Sequence, residues 1–403
     1  MKKIRLLFLL LMTMACSACA KEQTGSIGYL SNQSEEIEST EWEETLPMGE
    51  GEDSQEEVSA ETQTVVSDED RVAQMKELYG EYCIADQTFE VELSEYEGKV
   101  HVVPYAPSTE KTRFSIDIVQ DGEVLNSLWD YTPEAIEGEM FTSLDAIAFF
   151  DINFDDCTDI VLIQTYGDMS FAAVYKGFVK DVDEYERYFY VDSALSKRIT
   201  EQLEILTIPS IRELVTEGKK NGEFASYQEA YKTRSRVCEM ESNGGMTYGL
   251  IYFDEDEVPE LVASVDGYWV SVYTYKEGNL YTLMDQWGYG AGGNAGYEYS
   301  PKKNSLRNYN ADFAGLLLYT TYMKMTNEYT LDTVVTMETY NFDDANGNGM
   351  PDQEEEDSFG KEGATYINGV EVTDEECVKY DIGEYEYIFG SMSYEEILCR
   401  LNG

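Results

Sequence analysis

The 403-residue chain contains one histidine, His101. That scarcity excludes a histidine-rich zinc site, an H-E-x-x-H metalloprotease and any relay that needs two imidazoles. Cysteine is also sparse. Five cysteines lie beyond the N-terminal segment, at 83, 157, 238, 377 and 399, an odd number at irregular spacings with no C-x-x-C pair among them. They form no disulfide framework; Cys377 and Cys399 are one possible pairing, and buried thiols are the simpler expectation. Positive charge is short too, with 28 Lys and Arg against 80 Asp and Glu and a net charge of −52. A nucleic-acid or anionic-lipid surface is therefore not an expected partner, because phosphate binding is driven by positive charge. No Walker phosphate loop is present. Gly288-Tyr-Gly290-Ala-Gly-Gly293 satisfies G-x-G-x-x-G, but AGYEYSPKK follows it, and that stretch does not open a helix, so the dinucleotide reading fails on context.

What is present begins with MKKIRLLFLLLMTMACSACAKEQ, a basic start, an apolar run from Leu6 to Met14, then small residues. This reads as a secretory signal over 1–19, too short to span a bilayer. Ser17-Ala18-Cys19 resembles the lipobox of bacterial lipoproteins, with Cys16 where Leu, Val or Ile is usual; Cys16 itself is the rival acceptor, with Thr13 and Met14 before it fitting the pattern less well. The resemblance implies a diacylated Cys19, and two acyl chains anchor stably. From Glu22 to Asp70 there are sixteen acidic residues and no Lys or Arg. Such a segment buries too little to offset its ordering entropy, so 20–68 is expected to be a disordered acidic tether.

The body carries a repeat. AIAFFDINFDDCTDIVLIQTY (146–166) and YGLIYFDEDEVPELVASVDGY (248–268) each place a β-type run, an acidic loop and a second β-type run in that order. At an offset of 101, Asn153, Asp155 and Asp159 fall on Asp254, Asp256 and Glu260. Oxygens at alternating positions of a tight loop can converge on a hard cation. YFDEDEVPELV resembles the Y-x-D-x-D-x-x-P-E-L tract of uncharacterised Gram-positive surface lipoproteins, and FFDINFDDCTDIVL is similar to the acidic hairpins of FG-GAP and integrin-like calcium repeats. The resemblance implies calcium-stabilised β-rich surface domains, with Asp151, Asn153, Asp155 and Asp159 as ligands in the first loop and Asp254, Asp256 and Glu260 in the second. Asp156 replaces the turn glycine of the first loop, and Tyr252 stands at the first acidic position of the second.

A third acidic loop, DDANGNGMPDQEEED (343–357), fits D-x-[DN]-x-[DN]-G-x₅-E from Asp344 to Glu355. Its flanks look like strands, so it resembles thrombospondin type 3 loops. That likeness implies Asp344, Asn346, Asn348, Asp352, Glu355 and the Met350 carbonyl as calcium ligands. Asn368-Gly369 reads as a two-residue hairpin turn. Thr373–Glu376 and Ser393–Glu396 are capping boxes that open short helices. Trp287, Tyr289, Tyr297 and Tyr299 surround the glycine-rich run 285–299, where they either present flat faces to a ligand or fold back onto the core.

The expected fold is α+β and mainly antiparallel β, in two lobes with strand–acidic loop–strand units. The first lobe is 69–209, a helical connector is 210–244 with its basic face paired to acidic lobes, and the second lobe is 245–403 with short C-terminal helices. The expected protein is anchored to the cell membrane by its N-terminal lipid and faces outside. There it would be a calcium-stabilised, non-catalytic module binding a glycan or a surface protein. A carboxylate-dependent, glycosidase-like hydrolase is the alternative, and solute capture a third.

Overall fold

The computed structural model describes residues 68–136, 138–178, 189–361 and 363–403. Cys19, the signal segment and the tether up to residue 67 lie outside the described residues. The chain is α+β and mostly antiparallel sheet.

Helix α1 (Asp68–Tyr79) leads into a first meander, β1 (Phe89–Glu92), β2 (Lys99–Tyr105), β3 (Ser115–Gln120) and β4 (Glu123–Trp129). In β2 the alternation sends Val100 and Val102 into one apolar cluster and Val103 into another, which Val72 and Met75 of α1 cover. His101 is a strand residue whose ring lies 5.8 Å from that of Tyr79.

The second meander is β5 (Phe141–Phe150), β6 (Asp159–Tyr166), β7 (Met169–Gly177) and β8 (Phe189–Val191). β6 and β7 are covered on both faces, which explains their continuous apolar runs. Ile160, Leu162, Ala173 and Tyr175 pack towards the first sheet. Val161, Ile163, Ala172 and Val174 pack towards helices α2 (Ser193–Gln202), α3 (Ile208–Thr216) and α4 (Tyr227–Glu241). Each helix starts at a polar cap, Asp192, Thr207 and Ser226, whose side chain accepts a backbone N–H of the first turn.

Beyond the helices comes the third meander, β9 (Met246–Ile251), β10 (Glu260–Val265), β11 (Trp269–Lys276) and β12 (Asn279–Gly288). Leu261, Ala263 and Tyr273 face the helices, while Val262, Val270 and Val272 face a fourth sheet. That sheet contains β13 (Tyr297–Ser300), β14 (Ser305–Asp312), β15 (Leu317–Met325), β16 (Leu331–Tyr340), β17 (Thr365–Ile367), β18 (Val370–Val372) and β19 (Glu386–Tyr387), with β19 inserted beside β13. The layers therefore run sheet, sheet, helices, sheet, sheet. Asn368 and Gly369 both have positive φ in the turn between β17 and β18, as the hairpin reading requires.

Helices α5 (Asp374–Val378) and α6 (Tyr394–Leu401) both open on the expected capping boxes, with Glu376 and Glu396 accepting the N–H of Thr373 and Ser393. α6 does not stay with the last sheet. Ile397 and Leu401 enter the central core beside α4, and residues 390–392 run along β9 on the way. Gly390 permits this approach, since a side chain there would strike the backbone of Thr247. Against the expectation that the connector's basic face pairs with the lobes, three of its cations are partnered within the helical layer: Arg234 with Glu241, Lys219 with Glu229 and Arg236 with Glu217. From the sheets, Lys176 reaches the same Glu241 at 2.8 Å and the Tyr273 hydroxyl accepts from Arg234. None of the five body cysteines forms a disulfide among the described residues; Cys83 and Cys238 are buried, Cys157 and Cys377 half-buried, and Cys399 exposed, against the expectation of burial.

Candidate functional site

The first acidic loop joins β5 to β6 and wraps around one carboxylate. Asp151 Oδ1 accepts the backbone N–H of Asn153, Phe154 and Asp155, and Oδ2 accepts that of Asp156. Phe154 and Asp156 adopt positive φ, the left-handed conformation that the wrapping demands. Phe154 is driven into it by its side chain, fully buried in the central core with its ring 5.1 Å from that of Phe224. Burial of such a side chain contributes roughly 2–3 kcal/mol, enough to offset a strained φ. At the loop's far end the buried Asp159 accepts the N–H of Ile152 at 2.7 Å and of Gly177 at 3.0 Å. Asp155 Oδ2 accepts from the Asn153 amide at 2.7 Å.

Among the described residues, no cation forms an ion pair with these carboxyls. Burial, then Asp155, pushes Asp151 up to about 7. Burial also raises Asp155 despite Lys176 nearby, and raises Asp159 well above the carboxylate range. Lys176 is committed instead to Glu241 on α4. Two buried oxygens at this place have no partner among the described residues. One is Asn153 Oδ1 and the other Glu95 Oε2, which arrives from the β1–β2 turn. Glu95 lies against Thr158 and Gly177, so closely that a side chain at 177 would strike it. Burial pushes it up to about 7, and the charge of Asp155 adds to the shift. Sequence reasoning missed Glu95; nothing near it marks a carboxylate that reaches a loop more than fifty residues away.

The second loop, between β9 and β10, repeats two of the first loop's hydrogen bonds, while the amide wrap around Asp151 has no counterpart because Tyr252 stands at that position. Phe253 N–H donates to Glu260 at 2.7 Å as Ile152 does to Asp159, and Val258 N–H to Asp256 at 2.7 Å as Cys157 does to Asp155. Burial pushes Glu260 up to about 7. The difference is Lys276. Its ammonium, at the end of β11, lies 2.7 Å from Asp254 and 2.5 Å from Asp256. Burial opposes ionisation of Asp256, but the hydrogen bond from Lys276 wins and holds its carboxyl below the usual range. Tyr252, at the place of the first ligand, turns outward and lies under Lys302, 5.1 Å away.

In the third loop, Asp344 accepts the N–H of Asn348 and Gly349, both at 3.0 Å, and Asn346 donates to Asp352 at 2.6 Å. The buried Glu355 accepts from Asn346 and Asp352 at 3.4 Å each, closing the circuit. Asn348 accepts the N–H of Met350, whose side chain is exposed. Five of the expected ligand side chains are thus brought to one loop by its own amides. Among the described residues, no group of three or more His, Cys, Asp and Glu side chains is gathered closely enough to cage a metal ion.

The aromatic run follows the fold-back alternative for most of its rings. Tyr297 and Tyr299 are buried, Trp287 packs on Tyr297 at 5.5 Å, and both contribute to the core between the third and fourth sheets. Tyr289 is half-buried, and its hydroxyl accepts the N–H of Gly267. No helix among the described residues is long and apolar enough to cross a membrane. No family model matches the chain, and no curated protein matches it.

Proposed function

We propose that the chain is a lipid-anchored extracytoplasmic protein whose body is steadied by calcium and which acts by binding a glycan or a protein. On this reading the first two sheets form one lobe, the last two a second, and helices α2 to α4 lie between them. Calcium belongs to the first loop, through Asp151, Asn153, Asp155 and Asp159. The observation that carries this is the contrast between twins: the second loop has an ammonium between its carboxylates, and the first has acids pushed up by burial and an Asn153 oxygen without a partner among the described residues. A hard cation supplies both the charge and the oxygen-seeking partner that the first loop lacks. The loop carboxylates must close in on the ion to bind it, since they are not caged in advance. The third loop is the second calcium site, through Asp344, Asn346, Asn348, Met350, Asp352 and Glu355. The second loop, with Asp254, Asp256 and Glu260, takes no metal while Lys276 is present.

Melting of the full chain in chelator and in millimolar calcium tests the metal. A Cys19→Ser variant tests the anchor; release from the membrane fraction is expected, and retention with acylation intact contradicts it. Binding is tested by glycan arrays and envelope-extract capture with the wild-type chain and Trp287→Ala. Since Trp287 is part of the core, the variant is judged by lost capture at unchanged melting temperature; capture that survives removes Trp287 from the binding surface.

A further inference from the structure

Between the first two sheets, where β2 turns into β3 and β4 passes into β5, lies an open cleft of about 860 Å³. That is within the range of small-molecule sites. Its rings are spent on one another: Phe114 is fully buried and stacked on Phe141 at 5.0 Å, and Tyr166 meets Phe141 edge-on at 5.5 Å. Among the described residues lining the cleft, no broad aromatic face is left for a sugar to stack on. Fixed charges of both signs line the cleft instead.

Asp130 is one of them. Its Oδ2 accepts the hydroxyls of Tyr166 at 2.7 Å and Thr132 at 2.8 Å, which pins the carboxylate in place. Glu139 is another, lodged against the turn between β6 and β7. Gly167 in that turn has positive φ, its N–H donates to Met140 O, and a side chain there would meet Glu139 Oε2 at 2.6 Å. Arg113 supplies the opposite charge. It is exposed on the cleft wall, close enough for its charge to be felt by the Asp130 carboxyl, yet it makes no ion pair with a described residue. An arginine on a cavity wall that makes no ion pair among the described residues presents a planar fork of donors to an incoming carboxylate.

We propose that this cleft binds a small zwitterion, a free amino acid or a short peptide, with its ammonium held by Asp130 and Glu139 and its carboxylate by Arg113. An ammonium offers three donors to the two carboxylates, and a carboxylate matches the guanidinium bidentately. The proposal does not rest on calcium, because none of its residues belongs to an acidic loop.

Isothermal titration of the full chain with the common amino acids and a dipeptide panel of the form X-Ala tests it, each tightest ligand being repeated in N-acetylated and C-amidated form. N-acetylglucosamine serves as the neutral comparison. Acetylation and amidation are each expected to weaken binding about tenfold or more, the usual consequence of removing one charge-assisted partner. Arg113→Gln should weaken the free ligand to the level of its amide while leaving the amide unchanged, and Glu139→Gln should do the same for the acetylated pair. Both side chains are exposed, so melting curves should match wild type. Tighter binding of single amino acids assigns the free solute, and tighter binding of dipeptides assigns the peptide end. Binding of nothing in the panel, equal binding of blocked and free ligands, binding of the neutral sugar alone, or an unchanged affinity in Arg113→Gln overturns the proposal.

Discussion

The loops at 151–159 and 254–260 share a backbone plan and differ in how their charge is answered. Asp155 and Asp256 occupy aligned positions and accept the same amide, yet one carboxyl is raised and the other lowered from the ordinary value. Burial outweighs the more distant Lys176 at Asp155, whereas at Asp256 burial is outweighed by Lys276, which enters the second loop from β11. A half-buried carboxylate requires a positive neighbour or a proton. The second loop carries its neighbour covalently, and on the proposed reading the first leaves the place to an ion. The loops are also anchored differently. Phe154 plugs the first into the central core, while its aligned residue Glu255 is exposed.

The largest test of this asymmetry is the plug. Phe154→Ala should cost about 3–5 kcal/mol in denaturant unfolding, as for other buried aromatics, whereas Glu255→Ala should stay within about 0.5 kcal/mol. Next is the lysine. Lys276→Met leaves Asp254 and Asp256 facing each other without their cation, at an expected cost of roughly 2 kcal/mol, discounted because Asp256 is partly exposed. The same variant should become sensitive to calcium at its second loop; a stability loss without that gain would break the equivalence of the two loops.

Acidity separates them further. Asp151 is pushed up to about 7, so its contribution in chelator is fully present below the unfolded value near 3.8 and is lost as pH rises through 7. Asp256 is lowered, so its contribution is present above the ordinary carboxylate range and is lost only as pH falls through its depressed value. Between pH 5 and 8, Asp151→Asn should therefore flatten the decline by roughly 1–2 kcal/mol, and Asp256→Asn should leave its slope alone. Glu260, also pushed up to about 7, adds to the decline, so Glu260→Gln is the needed control.

Several strands were legible, since the apolar runs flanking the acidic loops placed β5, β6, β9 and β10, and the capping boxes and Asn368-Gly369 carry their own geometry. The duplicated loop was legible because offset alone aligns Asp155 with Asp256. What escaped depends on contacts distant in sequence. Lys276 reads as one more surface lysine at a strand end until β11 pairs with β10 and carries it to Asp254. Glu95 is one acid among many until the first sheet lies on the second. The cleft also escaped, because Arg113 from the β2–β3 connection meets Asp130 and Glu139 from the two ends of the β4–β5 connection only once the sheets pack.

The claim that the first loop awaits an ion is tested most directly by melting the full chain, rigorously stripped of metal, with and without millimolar calcium, in wild type and in a variant with Asp151→Asn and Asp155→Asn. At ten times its Kd, calcium should add about 1.4 kcal/mol at each site it fills, so the variant should lose one such increment and keep that of the 344–355 loop. A wild type that calcium does not stabilise, or a variant stabilised as much as wild type, would contradict the account and leave 151–159 an acidic turn held only by its own amides.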